Sequence, residues 1–297
     1  MNVNAQANAW ALSHGGITRM SPRRLPTIVL DSVTHLTPAH HGAIVYAASH
    51  GGAYAAAYAA AKGVAAIVLN DAGIGRERAG VAGLDLLAEL GVPGAAIAHT
   101  SARIGDGGDG VARGILSTVN TSATSLGLAI GMSCRDALEH LAAASLAPAP
   151  KPPPADEARH EIKSDVHDQA KVIVMDSASL VTPADAGAVV VTASHGGLLG
   201  GKPETAIKVP VFSAVYNDAD RGVDDAGVCR LPALDARGIA GACVSAFSAR
   251  IGDGLSTYRD GYISALNATA LRHGGRIGQS AAEFCDLMLA AAARRTG

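Results

Sequence analysis

Aromatic side chains are scarce: one Trp, six Tyr and three Phe make up 3% of a 297-residue chain. A site assembled with so few rings is poorly equipped to stack nucleobases or flat aromatic ligands, which directs attention to small polar ones. Cysteine is equally thin. Cys134, Cys229, Cys243 and Cys285 stand far apart with no CxxC, a spacing that argues against a zinc knuckle or a disulfide framework and fits the reduced thiols of a cytoplasmic protein. Charge of either sign is modest: 24 Lys and Arg against 26 Asp and Glu leave −2 with histidines neutral. The basic residues are scattered, so no stripe exists for a nucleic-acid backbone. No apolar run reaches the roughly 18 residues of a membrane span. The first residues, MNVNAQANAW, lack a basic start followed by an apolar stretch, so no secretory leader is expected.

Cofactor signatures are missing as well. There is no GxxxxGK[ST]; GIGRERAG at Gly73 to Gly80 and GGDG at Gly107 to Gly110 lack the order of a dinucleotide fingerprint; and no GxSxG nucleophile elbow is present. Eleven histidines raise the question of a metal, and His35, His40, His41 and His99 occur only in the first half, but their spacing matches no compact zinc pattern such as HExxH. Neither cofactor nor metal is expected, and His40-His41 beside Thr37-Pro38 reads as a solvent-facing turn.

What the chain has is repetition. SARIGDG stands at Ser101 to Gly107 and again, letter for letter, at Ser248 to Gly254. Asp31-Ser32 matches Asp176-Ser177, Thr37-Pro38 matches Thr182-Pro183, ASHGG at Ala48 to Gly52 matches Ala193 to Gly197, and Asn70-Asp71-Ala72 matches Asn217-Asp218-Ala219. The matches run in the same order, which predicts two tandem homologous α/β units related by a pseudo-twofold axis. Residues 1–24 read as an arm, 25–142 as the first unit, 143–169 as a proline-rich linker of extended backbone, and 170–297 as the second unit.

Within each unit short β-branched or small apolar runs lead into polar and glycine residues, as in LPTIVLDS, GAIVYAASHGG, AAIVLNDAG and GAAIAHTSARIGDG. Such runs are parallel strands buried on both faces. YAAAYAAAKG, AGLDLLAELG and RGILSTVNTSATSLG supply the helices between them, and in the second unit LLGGKPETAIK makes a weak first helix because it holds Pro203 and two glycines. Alternating strands and helices predict α/β architecture, mostly parallel sheets covered by helices.

The polar sets all follow strands, where loops converge at the carboxyl edge of such a sheet. In SHGG, Gly51 and Gly52, with Gly196 and Gly197, suit a glycine-rich oxyanion loop, and His50 and His195 suit proton transfer beside Ser49 and Ser194. The same Gly-Gly also makes a tight turn. Asp71 and Asp218 fit a general base or a histidine orienter, with Asn70 and Asn217 holding a substrate oxygen, yet Asx residues equally stabilise turns. In SARIGDG, Arg103 and Arg250 suit a carboxylate or phosphate, oriented by Asp106 and Asp253, with Ser101 and Ser248 hydrogen bonding; an internal Arg-Asp pair pinning the turn is the alternative.

These residues together predict an enzyme acting on a small polar, anionic metabolite by nucleotide-independent acid-base chemistry, with hydrolysis of an amide-type C–N bond first and isomerase or lyase chemistry on a small carboxylate next. A non-catalytic module for a phosphorylated or carboxylated metabolite, and a purely architectural role for the motifs, are the competing readings. The small-residue helix surfaces suit close packing between subunits, so a homo-oligomer is expected.

Overall fold

The computed structural model describes residues 24–164 and 170–296; the SHGG at Ser13 to Gly16 and nearly all of the expected arm lie outside them. The chain forms two mixed, mostly parallel sheets of five and six strands with helices, an α/β fold.

The first sheet has the order β1 (Thr27–Leu30), β2 (Ile44–His50), β3 (Ala66–Asn70), β4 (Gly94–Ile97), β5 (Leu116–Val119). β1 to β4 are parallel and β5 is antiparallel to β4. Its helices are α1 (Ala53–Ala61), α2 (Gly83–Glu89), α3 (Gly107–Arg113), α4 (Thr121–Thr124) and α5 (Cys134–Ala143). β2 shows why both faces are covered. Val45 and Ala47 point into a core with the α1 alanines, Leu84 and Leu87, while Ile44, Tyr46 and Ala48 point into another with Leu138 and Leu141 of α5. Burying each large apolar side chain on either face contributes about 1.5–3 kcal/mol.

The second sheet runs β11 (Ile263–Leu266), β10 (Ala240–Val244), β9 (Ser213–Asn217), β8 (Val189–His195), β7 (Lys171–Met175), β6 (Arg159–Lys163). β7 to β10 are parallel, and the two edges, β6 and β11, are antiparallel. α6 (Arg230–Asp235), α7 (Gly254–Asp260), α8 (Ala268–Arg272) and α9 (Ala281–Thr296) pack around it.

Three local expectations differ from this architecture. ILSTV, read as helical, forms edge strand β5, and the helix moves forward onto GGDGVAR, where the Asp106 side chain caps it by accepting from Asp109 N–H. β-branched Thr118 and Val119 favour the pleated edge. The linker is not extended coil throughout, because RHEIK pairs with β7. LLGGKPETAIK forms no α-helix at all, only 3-10 turns at Leu199–Gly201 and Pro203–Thr205.

The sheets meet at the carboxyl ends of their strands. Ala72 and Ile104 pack with Ala219, Ala226 and Ile251 in a small apolar cluster, and backbone bonds cross the seam: Arg76 N–H to Ala246 O at 2.8 Å, Val223 N–H to His99 O at 2.9 Å, and Gly200 N–H to Gly105 O at 2.7 Å. The loops that reach across hold L-residues in left-handed backbone, among them Ala72, Ile74, Glu77 and Arg78 on one side and Ala219, Asp220, Arg221, Asp224 and Asp225 on the other. Each costs on the order of 1–2 kcal/mol, so the seam must hold them.

Candidate functional site

Beside that seam lies a cleft of about 460 Å³ lined from both halves, a size suited to a small molecule. Ser49, His50 and Tyr54 come from the end of β2 and from α1; Ser194 and His195 come from the end of β8; Asp176, Ser177, Lys208, Arg230, Glu157 and His35 also line it. A second hollow of about 510 Å³, at Gly187, Pro210, Phe212 and Arg237, carries one titratable side chain and none of the strand-end polar residues.

The two histidines are set in the same way. Gly52 N–H donates to Nδ1 of His50 at 3.2 Å, and Gly197 N–H donates to Nδ1 of His195 at 3.1 Å. A backbone N–H can only donate, so Nδ1 is the acceptor in each ring and the single proton of the neutral imidazole sits on Nε2. Burial lowers the His50 pKa to about 4. His195, 5% exposed, is held well below its ordinary value, first by burial, then by the Arg230 charge and by His50. Both rings are therefore neutral at pH 7, and Nε2–H is the one polar atom each has left for a ligand.

The SARIGDG loops bring these rings into place from the opposite half. A Cβ built on Gly252 would stand 3.3 Å from Cε1 of His50, and one on Gly105 would stand 3.3 Å from Cε1 of His195 and 2.3 Å from Leu198 O. Only glycine lets the loop of one half close so tightly on the histidine strand of the other.

The hydroxyls of Ser49 and Ser194 also face the cleft, their oxygens accepting from Val33 N–H and Ala178 N–H at 2.9 Å each. Glu157, from the segment read as linker, accepts from Ser179 Oγ at 3.3 Å, and the hydroxyls of Ser177 and Tyr54 lie against its carboxylate. Its burial, with the nearby Asp176 charge, outweighs those bonds and holds its carboxyl above the usual range. Tyr54 is pushed up to about 12 by its own burial and by Glu157.

The remaining candidate site residues from the SHGG, Asn-Asp and SARIGDG segments lie outside the cleft lining, in bonds that shape the loops. Asp71 accepts from Gly73 N–H, His99 N–H and Nδ1, and Ser117 Oγ; Asp218 accepts from Asp220 N–H, Ala246 N–H and Ser264 Oγ. Asn70 and Asn217 close Asx turns onto Ala72 and Ala219 N–H. Gly51 and Gly196 N–H donate to Asn70 O and Asn217 O, so, with Gly52 and Gly197 tied to the imidazoles, all four glycine amides are committed within the protein. Ser101 and Ser248 bridge Ala98 O to Ile115 N–H and Ser245 O to Tyr262 N–H. Asp106 and Asp253 cap α3 and α7. Arg103 pairs with Asp224 at 2.8 Å, and Arg250 with Asp253 at 2.8 Å and Glu77 at 3.2 Å, so both arginines tie across the seam.

His99 is a further tie, its Nδ1 2.8 Å from Asp71 and its Nε2 3.1 Å from Asp220. Burial alone would lower its pKa, but the Asp71 bond and the charges of Asp71 and Asp220 raise it. A raised folded value means that this contribution is complete below the unfolded value near 6.5 and is lost as pH rises through the folded one. His99→Gln is therefore expected to cost about 1 kcal/mol or more at pH 6, with the difference from wild type shrinking in urea titrations at progressively higher pH. A constant difference from pH 6 to 9 would contradict the charged clamp.

Arg230 and Glu157 stand in no motif. Arg230 left one trace: the matching position of the first half is Gly83, in a stretch that otherwise aligns as GLDLL with RLPAL. Among the described residues no group of three His, Cys, Asp or Glu is placed to hold a metal ion. No helix there is long and apolar enough to cross a membrane. Compared with family models, curated proteins and solved structures, the chain matches none.

Proposed function

We propose that the chain is an enzyme acting on a small polar, anionic metabolite by acid-base chemistry at a carbonyl group, in the cleft between its halves. The observation that carries this reading is the pair of neutral imidazoles, each with Nδ1 tied to backbone and Nε2–H left over. Donors held rigidly in a water-poor site stabilise the charge that develops on a carbonyl oxygen, and one such donor contributes about 10²–10³-fold in rate. A neutral imidazole with a lowered pKa serves well as such an electrophile.

Neither ring is a base in this state, so Glu157, its carboxyl held above the usual carboxylate range by burial, is the proton acceptor. Removal of a proton beside the carbonyl of a small carboxylate, isomerase or lyase chemistry, uses these parts directly. Hydrolysis of an amide-type C–N bond would use the same donors, with Glu157 activating water. The hydroxyl hydrogens of Ser49 and Ser194 orient the substrate. The shared strand order and the paired contacts across the seam support a tandem duplication about a pseudo-twofold axis, which delivers one histidine from each half. Four free cysteines suit the cytoplasm, and exposed Ile130 and Ile277 suit contact with further copies.

The test is a screen of small carboxylates in deuterium oxide, followed by mass spectrometry. Solvent deuterium in substrate or product is expected, and His50→Ala and His195→Ala should each lower kcat/KM by about 10²-fold or more. Undiminished turnover in both variants overturns the role of the rings. Amine release without exchange moves the assignment to C–N hydrolysis; saturable binding with neither exchange nor product leaves a binding module.

A further inference from the structure

Arg230 is 5% exposed, yet among the described residues no carboxylate lies within ion-pair distance of it. Three of its five N–H groups are spent on carbonyls: Nε on Gly197 O at 2.9 Å, and Nη1 on Thr205 O at 2.8 Å and Ala206 O at 2.6 Å. The guanidinium lies over the ring of Tyr216, 4.9 Å from its centroid, and against the Tyr216 hydroxyl. Carbonyls and a ring fix the group and partly offset its desolvation, but they do not neutralise it. A buried cation without a counter-ion is costly unless something else brings the negative charge. Arg230 lines the cleft beside His195, with exposed Lys208 in the same wall and Glu157 and Asp176 also in the lining.

We infer that Arg230 anchors the substrate's carboxylate, which accepts from its remaining N–H donors and sets the reacting carbonyl beside His195. This rests on the cleft being the substrate site, and it assigns the anion-binding role to Arg230 instead of Arg103 or Arg250, whose partners are Asp224, Glu77 and Asp253. One fixed guanidinium with few donors left suits one carboxylate. A phosphate dianion would call for more fixed donors. Gly83 at the matching place in the first half leaves the anchor single, so the ligand has one orientation.

The test is binding, read apart from turnover. Succinate, its neutral analogue succinamide, and inorganic phosphate are titrated into full-length protein labelled with ¹³C at histidine Cε1. Expected are a saturable shift of the His195 resonance with succinate and at least about tenfold weaker binding of succinamide. Arg230→Lys, which keeps charge but loses the planar fork, and Arg230→Met should bind succinate about tenfold or more weakly. Lys171→Ala, which removes an exposed cation outside the cleft lining, should stay within about threefold. Equal binding of succinate and succinamide, tighter binding of phosphate than of succinate, or wild-type affinity in a folded Arg230 variant overturns the anchor. The comparison of succinate with succinamide needs only wild-type protein, so it decides even if both variants fail to fold. If succinate binds through Arg230 while no metabolite exchanges deuterium or reacts, the anchor stands and the catalytic reading falls. Turnover without carboxylate preference does the reverse.

Discussion

Alanine at Gly227 is expected to destroy the folded state, whereas alanine at Gly108 should stabilise it. A Cβ on Gly227 would fall 1.9 Å from Asp218 O, 3.0 Å from Asp218 C and 3.1 Å from Arg221 O, all backbone atoms. That backbone has nowhere to go. Asp218 O accepts from Arg221 N–H, Gly227 N–H donates to Arg221 O, and the Asp218 carboxylate holds Asp220 N–H, Ala246 N–H and Ser264 Oγ. Relief of the clash would orphan several of these buried groups, at about 1–3 kcal/mol each, on top of overpacking strain of about 1–3 kcal/mol. A loss above about 4 kcal/mol follows, a large part of the 5–15 kcal/mol that typically keeps a protein folded. Gly108 lies exposed in α3 with only Asp106 Oδ1 near its missing Cβ, at 3.6 Å, and replacing a helical glycine with alanine gains about 0.5–1 kcal/mol. Urea midpoints for both variants check the pair. A Gly227→Ala midpoint matching wild type would mean that the loop is far softer than its bonding implies.

The SARIGDG loops show how a repeated polar motif can serve docking as readily as a ligand. The repeated SARIGDG reads as a ligand clamp because it gathers a hydroxyl, a guanidinium and a carboxylate after a strand. In the structure its serine ties the loop to the following edge strand, its aspartate caps a helix, and its glycine fits against the histidine strand of the other half. Its arginine pairs across the seam with Asp224 or Glu77. Repetition marks what both halves need to dock on each other, and docking needs polar groups as a ligand site does. The histidines were legible because their place at the end of an apolar run fixes them at the carboxyl edge of a sheet. Their chemistry was not legible, since the tautomer and the low pKa arise from a backbone amide two residues on and from burial by a loop distant in sequence. Arg230 and Glu157 were illegible for a related reason. One starts a six-residue helix and the other sits in a proline-rich segment, and only packing brings both to the cleft. Among the secondary elements, β5, β11 and β6 were missed because four or five residues with mixed polarity carry no clear period, while the buried runs of β2, β3, β8 and β9 left no ambiguity.

The histidine environment has a second large consequence, in acid. His50 falls from its unfolded value near 6.5 to about 4 in the folded protein. Below pH 6.5 the unfolded chain binds a proton that the folded protein refuses, so stability is full above that pH and declines as pH falls toward 4. At about 1.4 kcal/mol per pH unit, His50 alone removes about 3 kcal/mol over that window, and His195 acts in the same direction. Asp71, held below the usual carboxylate range against its burial by bonds from His99 and Ser117, gives up its own contribution as pH falls through its folded value. Acid denaturation of wild type therefore mixes the two kinds of group, and His50→Gln separates them. The variant has no ring to protonate in either state, so its urea stability should fall by about 3 kcal/mol less than that of wild type between pH 7 and pH 4. Parallel curves for the two proteins would show that His50 takes up its proton in the folded state at an ordinary pH. The cleft would then hold an imidazolium near pH 6, and a charged ring in place of a neutral donor would remove the premise on which the carbonyl chemistry rests.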